Sequence, residues 1–156
     1  MEKVCINGRI ELELPDGFHV LDETEKKDFE LAAAGEYVAF SEPQGHILAT
    51  VGCRNIGIAS FLIGTNDAAR SAERQIGDAM QGFRYEFTGF VDRTIAGRPS
   101  RGFGYTYVSE GTEMSGETCV MKSGKFLYFF NIYYRRSLGE NSLKVWKEIL
   151  DSAVDK

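Results

Sequence analysis

The chain has 156 residues, of which 43% are hydrophobic and 26% charged, and its formal net charge is −5. This length and composition are those of one globular domain, which excludes intrinsic disorder and any need for disulfide or metal support. The acidic balance argues against nucleic acid as a partner, because phosphate binding depends on Lys and Arg. We therefore expect a single domain over residues 1–156.

The N-terminal region predicts a strand followed by a helix. Residues 9–14 alternate polar and apolar side chains, which is typical of a half-exposed strand. The apolar face of this strand consists of Ile10, Leu12 and Leu14. Residues 23–34 predict a short helix, with Asp22 as its N-cap and Gly35 as its end.

A hairpin and an apolar segment come next. Residues 36–43 and 46–54 predict two strands joined at Gln44-Gly45. The segment IGIASFLIG at 56–64 is compatible with a third short strand or with a buried connection, and periodicity does not separate the two.

Two amphipathic helices are predicted in the rest of the chain. Residues 66–81 form the first, capped by Thr65 or Asn66, and residues 141–154 form the second. The inward positions of the first are Ala69, Ala72, Ile76, Ala79 and Met80. Those of the second are Leu143, Trp146, Ile149 or Leu150, and Ala153.

Four strands are predicted between these helices, at 83–95, 101–109, 116–122 and 125–134. The last is apolar or aromatic at successive positions, which is typical of a central strand covered on both faces. The element order predicts an α+β fold. In it, a mainly antiparallel, twisted sheet of about six to seven strands is covered by helices on both faces as an α/β/α sandwich.

Aromatic residues recur at alternate positions of these strands. The series are Phe83, Tyr85 and Phe87; Phe103, Tyr105 and Tyr107; and Phe126, Tyr128, Phe130 and Tyr134. One interpretation places them in the core between sheet and helices. The other has several tyrosines lining a pocket, with their hydroxyl groups available to a ligand.

The segment IAGRPSRGFGYTY at 95–107 predicts a hairpin loop of about four to six residues, with Gly97, Pro99 and Gly102 shaping it. The turn does not require the arginines. Guanidinium groups bind carboxylates and phosphates in a forked geometry, so a cluster of them would form a binding surface on this acidic chain. The candidate partner-binding residues are Arg93, Arg98, Arg101, Tyr105 and Arg135, with Arg136 beside them.

No motif for catalysis or cofactor binding is present. His19 and His46 are the two histidines, and neither has the spacing to cysteine that a metal site needs. Gly124-Lys125 lacks the rest of a phosphate-binding loop, and Gly102 and Gly104 lead into a strand where a dinucleotide motif would begin a helix. We expect no cofactor, no metal and no enzymatic activity.

Several segments carry a resemblance to a known family. They are IELELPDGFHV near the start, YEFTGFVDRTIAGRPSRGFGYTYV with its G-x-P turn, GKFLYFFNIYY, and the closing VWKEILDS. Together with the element order, these segments resemble the PsbP-like superfamily. That superfamily includes the extrinsic protein of photosystem II, a Ran-binding nuclear-transport factor and small bacterial proteins. The resemblance implies a non-catalytic scaffold that binds proteins or small ligands.

The sequence thus predicts a non-enzymatic binding domain whose partner is a protein or a small ligand. The alternatives are a small-molecule enzyme with a tyrosine-lined cavity and an assembly subunit that pairs through an edge strand. No apolar run reaches the roughly 18 residues of a membrane span, and the first 15 residues have no signal-peptide core. With Met1 as the native start, a cytoplasmic location is expected.

Overall fold

A computed structural model describes residues 2–28 and 37–156, which form two antiparallel sheets and three α-helices. The strands are β1 (Glu2–Ile6), β2 (Ile10–Leu14), β3 (His19–Val20), β4 (Tyr37–Glu42), β5 (Ile47–Asn55), β6 (Glu86–Ile95), β7 (Arg98–Ser109), β8 (Thr112–Ser123), β9 (Phe126–Arg135) and β10 (Val154–Asp155). The helices are α1 (Glu23–Asp28), α2 (Thr65–Ala79) and α3 (Gly139–Asp151).

The larger sheet has seven strands in the order β3-β4-β5-β9-β8-β7-β6. The strand β9 lies in the middle, as its apolar residues on both faces predict. Leu127, Tyr128 and Phe130 are buried along it. The predicted antiparallel sheet of about six to seven strands is confirmed.

The inner face of this sheet carries the main core. It packs on α3 and on a three-stranded sheet with the order β1-β2-β10. Ile10, Leu12 and Leu14 are fully buried, as the alternation in β2 predicts, and Trp146 and Ile149 of α3 lie in the same core. Part of the cover predicted as helical is therefore this small sheet, because β1 and β10 both pair with β2.

The outer face of the large sheet is covered in part by α2. A smaller apolar cluster joins Ala68 and Ala69 of α2 to Val120 and Leu127. Small alanine side chains let the helix lie close to the strands, as predicted, although Ala79, one of the predicted inward positions, is exposed. Gly64 with an extended backbone precedes the helix, so the expectation that Thr65 or Asn66 caps it is wrong.

Two other helix predictions have different outcomes. Asp22 caps α1 as expected, because its Oδ1 accepts a hydrogen bond from the backbone N–H of Glu25 at 2.9 Å. In the reverse direction, Glu25 Oε1 accepts from the backbone N–H of Asp22 at 3.0 Å. The helix predicted at 23–34 is described as far as Asp28, and Gly35 lies outside the described residues.

The turn in the arginine-containing hairpin is shorter than predicted. Ile95 pairs directly with Arg98, so Ala96 and Gly97 alone form it, with φ of 53° and 74°. Two positive φ values are those of a type I′ turn, whose twist matches the flanking strands. Pro99 and Gly102 therefore belong to β7, and the loop of four to six residues is wrong.

The segment 56–64 is neither a strand nor buried. It contains a 3₁₀ turn over Gly57–Phe61. Ile58, Phe61 and Leu62 are 88%, 89% and 84% exposed. Both alternatives predicted from its apolar composition are wrong, because these three side chains point into solvent, while Ile56 and Ile63 at the ends of the segment are only partly buried against the sheet.

Candidate functional site

The structure separates the arginines that the sequence groups together. Arg93 and Arg98 lie on the inner face of the sheet. Arg101 lies on the outer face, at an odd separation from Arg98 along the same strand. Arg135 pairs with Met114, which is opposite Tyr107 at the far end of β7 from Arg98. Arg98 and Tyr107 are nine residues apart along β7, which corresponds to a distance of about 30 Å. The five guanidinium groups do not form one cluster.

Four of these arginines pair with carboxylates of the chain itself, namely Arg93, Arg98, Arg101 and Arg136. Arg93 makes a forked pair with Glu117, at 2.8 Å and 2.9 Å. Arg101 donates to Asp92 at 2.9 Å and lies 4.7 Å from the centre of the Phe90 ring. Tyr105 is 1% exposed, so its side chain is a core residue in this structure. That Arg98 and Arg101 capture a partner stays a prediction.

Asp155 is the point where Arg98, Arg9 and Ser123 meet. Arg98 Nε donates to it at 3.0 Å, Arg9 Nη2 at 3.2 Å and Ser123 Oγ at 2.7 Å. Burial tends to raise the pKa of the Asp155 carboxyl, but the hydrogen bonds from Ser123 and Arg98 and the charge of Arg9 outweigh it and lower that pKa. The ionised carboxylate therefore ties the C-terminal strand to both sheets.

Asp155→Asn tests this connection. We expect the free energy of unfolding at neutral pH to fall by about 1–3 kcal/mol, because two guanidinium groups lose their carboxylate. A lowered pKa in the folded state stabilises the fold above the ordinary carboxyl pKa of 3.8 and loses that effect as the pH falls through the folded value. The difference between wild type and variant, measured by urea unfolding, should therefore shrink below about pH 4.

Asp151→Asn is the matched control. Asp151 is an exposed residue of α3 that pairs with Lys147. An effect of Asp155→Asn that equals the control, or that persists unchanged in acid, would contradict the role given to this carboxylate.

A tyrosine cluster lies on the outer face beneath α2. The ring of Tyr105 packs at a tilt against those of Tyr85 and Tyr107, at centroid distances of 5.4 Å and 5.9 Å. Burial raises the pKa of Tyr107 to about 12, and it also raises the pKa of Tyr105 well above its ordinary value. Tyr85 donates to Glu73 of α2 at 3.0 Å. These phenols stay protonated at neutral pH and fix the helix on the sheet.

A cleft of about 480 Å³ opens beside this cluster, between α2 and strands β4, β5, β8 and β9. A row of three polar residues crosses its floor on adjacent strands, and we call it the polar row: Thr50, Asn131 and Thr118. Thr118 Oγ1 donates to Asn131 Oδ1 at 2.6 Å, and Asn131 Nδ2 donates to Thr50 Oγ1 at 3.1 Å. These bonds fix the orientation of the Asn131 amide.

The walls of the cleft are mainly apolar. They consist of Ile56, Ile63, Ala68, Ala72, Ile76, Leu127, Phe129 and Tyr133. Arg54 lies at the rim, with its guanidinium 5.8 Å from the centre of the Phe129 ring. Asp67 is the carboxylate among the described lining residues, and it belongs to the exposed start of α2.

The chemistry of this cleft suits binding. The second proton of the Asn131 amide nitrogen and the remaining lone pairs of the polar row are available for hydrogen bonds, and the walls bury apolar surface. The part of the chain that the structure describes contains no group of three His, Cys, Asp or Glu side chains placed to hold a metal ion. Burial raises the pKa of the Cys119 thiol well above its usual range, which leaves it inert.

Sequence reasoning missed the polar row. Its one visible sign is Asn131, a single amide within the aromatic run of β9. The tyrosine-lined pocket considered from the sequence is present in reduced form. Tyr133 and Tyr37 line the cleft, whereas Tyr105, Tyr128 and Tyr134 are buried in the packing.

Comparisons with known proteins establish the fold. No protein-family model and no curated protein sequence matches the chain. The structure resembles cyanobacterial PsbP from Synechocystis, with a TM-score of 0.70, 16% identity, and coverage of 94% of this chain and 86% of that one. It also resembles LpqN, a protein involved in cell envelope biogenesis of Mycobacterium tuberculosis, with a TM-score of 0.65, 13% identity, and coverage of 94% and 83%.

A third similar structure is PA94 of Pseudomonas aeruginosa, described as a protein of unknown function and putative regulator. Its TM-score is 0.54 at 15% identity, with 100% of this chain and 97% of that one covered. Identities this low establish the fold alone. Within the described residues, no helix is long and apolar enough to cross a membrane.

Proposed function

We propose that this chain, which has the PsbP-like fold, is a single non-enzymatic binding domain that takes a small amphipathic molecule into the cleft beside α2. The observation that carries the proposal is the combination of apolar walls with the hydrogen-bonded polar row at their base. A volume of about 480 Å³ is within the range of small-molecule sites. The ligand class is a mainly apolar body with one hydrogen-bonding group.

The orientation of the ligand follows from the charges of the cleft. The polar row carries no formal charge, so it favours a neutral group such as a carbonyl or hydroxyl. Arg54 at the rim makes no ion pair with any described residue. A carboxylate or sulfonate on the ligand would therefore point outward to this guanidinium, while the apolar body contacts Phe129 and Ile76.

The alternative of an enzyme has less support in this geometry. General acid–base chemistry requires a proton donor or acceptor with a pKa suited to neutral pH, held against the substrate. The polar row provides amide and hydroxyl groups, and Asp67 lies at the solvent-exposed rim. The alternative of assembly through an edge strand is disfavoured at β6, because a bulge between Phe87 and Gly89 interrupts its pairing.

Filling the cleft tests the proposal. Anilinonaphthalene sulfonate combines an aromatic body with an anionic group, and we expect it to bind the wild-type protein at one site with a blue-shifted emission. Ala72→Trp places an indole in the cleft from α2. The indole occupies the space in which the aromatic body of the dye would be buried. It should therefore weaken dye binding at least about tenfold, because burial of an aromatic group of that size contributes more than about 1.4 kcal/mol.

Ala79→Trp is the matched control, because Ala79 lies on the same helix and is exposed. The control should bind the dye as the wild type does, and both variants should unfold at similar temperatures. Equal dye binding by Ala72→Trp and the wild type would refute the cleft as the binding site.

A further inference from the structure

Three large apolar side chains project from the connection between β5 and α2, and we call them the apolar tip: Ile58, Phe61 and Leu62. Each is more than 80% exposed, whereas the other exposed large hydrophobic side chains among the described residues are at most 49% exposed. Side chains this exposed form a convex projection and not a groove. Large apolar side chains exposed together in one short segment mark a site of interaction.

The backbone beneath the apolar tip is held in place. Ile56 N donates to Lys125 O at 2.8 Å, and Leu62 N donates to Ala59 O at 2.9 Å. The Lys122 ammonium donates to two carbonyl oxygens of this segment, those of Ser60 and Ile63. Part of β8 is thus used to fix a turn whose apolar side chains point into solvent.

The charge around the apolar tip is positive although the chain is acidic. Residues 54–66 contain Arg54 and no Asp or Glu, and Lys122 and Lys125 lie at the adjoining end of β8 and its turn. Asp67 at the start of α2 is the nearest acidic residue in the sequence. Arg98 and Arg9 lie at the same end of the sheet about three strands away, or roughly 15 Å, where they bind Asp155.

We infer that the apolar tip docks on a lipid surface that carries anionic headgroups. A convex group of aliphatic and aromatic side chains inserts into the boundary between headgroups and acyl chains, where each gains from burial. The exposed cations beside it, Arg54 and Lys125, then face the anionic headgroups, and each contributes attraction that depends on salt, whereas the Lys122 ammonium is occupied by carbonyl oxygens beneath the tip. A protein partner would require a complementary concave surface, whereas a bilayer accepts a projecting tip directly.

Vesicle sedimentation tests the inference. The probes are vesicles of pure phosphatidylcholine and of an equal mixture of phosphatidylcholine and phosphatidylserine. We expect wild-type protein to sediment with the anionic vesicles and to be released by high salt. The double variant Phe61→Ser/Leu62→Ser removes apolar surface without changing charge, and it should lower the partition coefficient at least about tenfold.

The matched control is Phe83→Ser/Phe87→Ser, which replaces two half-exposed phenylalanines near the opposite end of the sheet. It should bind vesicles as the wild type does. A Phe61→Trp variant gives an independent readout, since its emission should shift to the blue when anionic vesicles are added. The cleft variant Ala72→Trp should retain vesicle binding, so loss of the ligand site and loss of the docking site are distinguishable.

Three outcomes overturn the inference. They are wild-type protein that binds neither kind of vesicle, equal loss of binding in the control pair, and concentration-dependent dimerisation that Phe61→Ser/Leu62→Ser abolishes without any effect of lipid. The third outcome assigns the apolar tip to a second copy of the chain.

Discussion

Glu117→Ala should lower the free energy of unfolding by about 3–5 kcal/mol, because it leaves the Arg93 guanidinium, whose side chain is only 23% exposed, without its counter-charge. Glu117 is 5% exposed and accepts bonds from three side chains. Besides the forked pair with Arg93, its Oε2 accepts from Trp146 Nε1 at 3.1 Å and from Cys119 Sγ at 3.4 Å. One carboxylate therefore joins β6, β8 and α3. Urea unfolding followed by circular dichroism measures the fall in the free energy of unfolding of the variant.

Two comparisons give this prediction its specificity. Glu113→Gln on the same strand removes the exposed pair with Arg136 and should change stability by less than about 0.5 kcal/mol. Arg93→Met combined with Glu117→Ala should be more stable than Glu117→Ala alone, because no unpaired guanidinium remains. A loss of less than 1 kcal/mol for Glu117→Ala would mean that water replaces the carboxylate at Arg93.

The central part of the sheet could be predicted because its sequence signal is local. The strand β9 is apolar on both faces, and only a strand between two packed layers buries both. The spacing of Trp146, Ile149 and Ala153 predicts the helix α3, and all three are buried, although α3 ends at Asp151, before Ala153. The spacing of apolar residues along an element depends only on the layer against which that element packs, so it can be recognised without knowledge of the rest of the fold.

The errors arise where a conformation depends on distant parts of the chain. Ala96 adopts a positive φ, which a residue with a side chain rarely does, so the two-residue turn has no Asn-Gly or Asp-Gly signature. Placing Pro99 and Gly102 in a loop followed from their composition. In the structure Gly102 lies against β8, where an added Cβ would be 2.7 Å from the Thr118 carbonyl oxygen.

The candidate site depends on register between strands that are far apart in the sequence. Asn131 faces Thr50 across one strand boundary and Thr118 across the other, at sequence separations of 81 and 13 residues. No local pattern predicts this alignment. The exposure of Ile58, Phe61 and Leu62 likewise depends on Lys122, which lies 59 residues from Ile63.

Gly116→Ala should lower the free energy of unfolding by about 1–3 kcal/mol. Gly116 lies on β8 between Tyr105 of β7 and Tyr133 of β9, directly opposite both. A Cβ there would lie 2.4 Å from Tyr105 Cζ and 2.5 Å from its hydroxyl oxygen. The ring has no free space to move into, because Tyr85, Phe103 and Tyr107 surround it. Thermal and urea unfolding measure the loss.

The cause of this loss can be separated from a general glycine effect. Gly82→Ala adds the same methyl group where nothing lies within 4 Å, and it should be neutral within about 0.5 kcal/mol. If the clash with the ring is the cause, Gly116→Ala should cost little in a Tyr105→Leu background, because the atoms that it meets are gone. Purely additive losses in that double variant would instead locate the strain in the backbone of β8. The cleft should respond as well, since a displaced Tyr105 ring pushes on Tyr133, whose side chain forms one wall of the site.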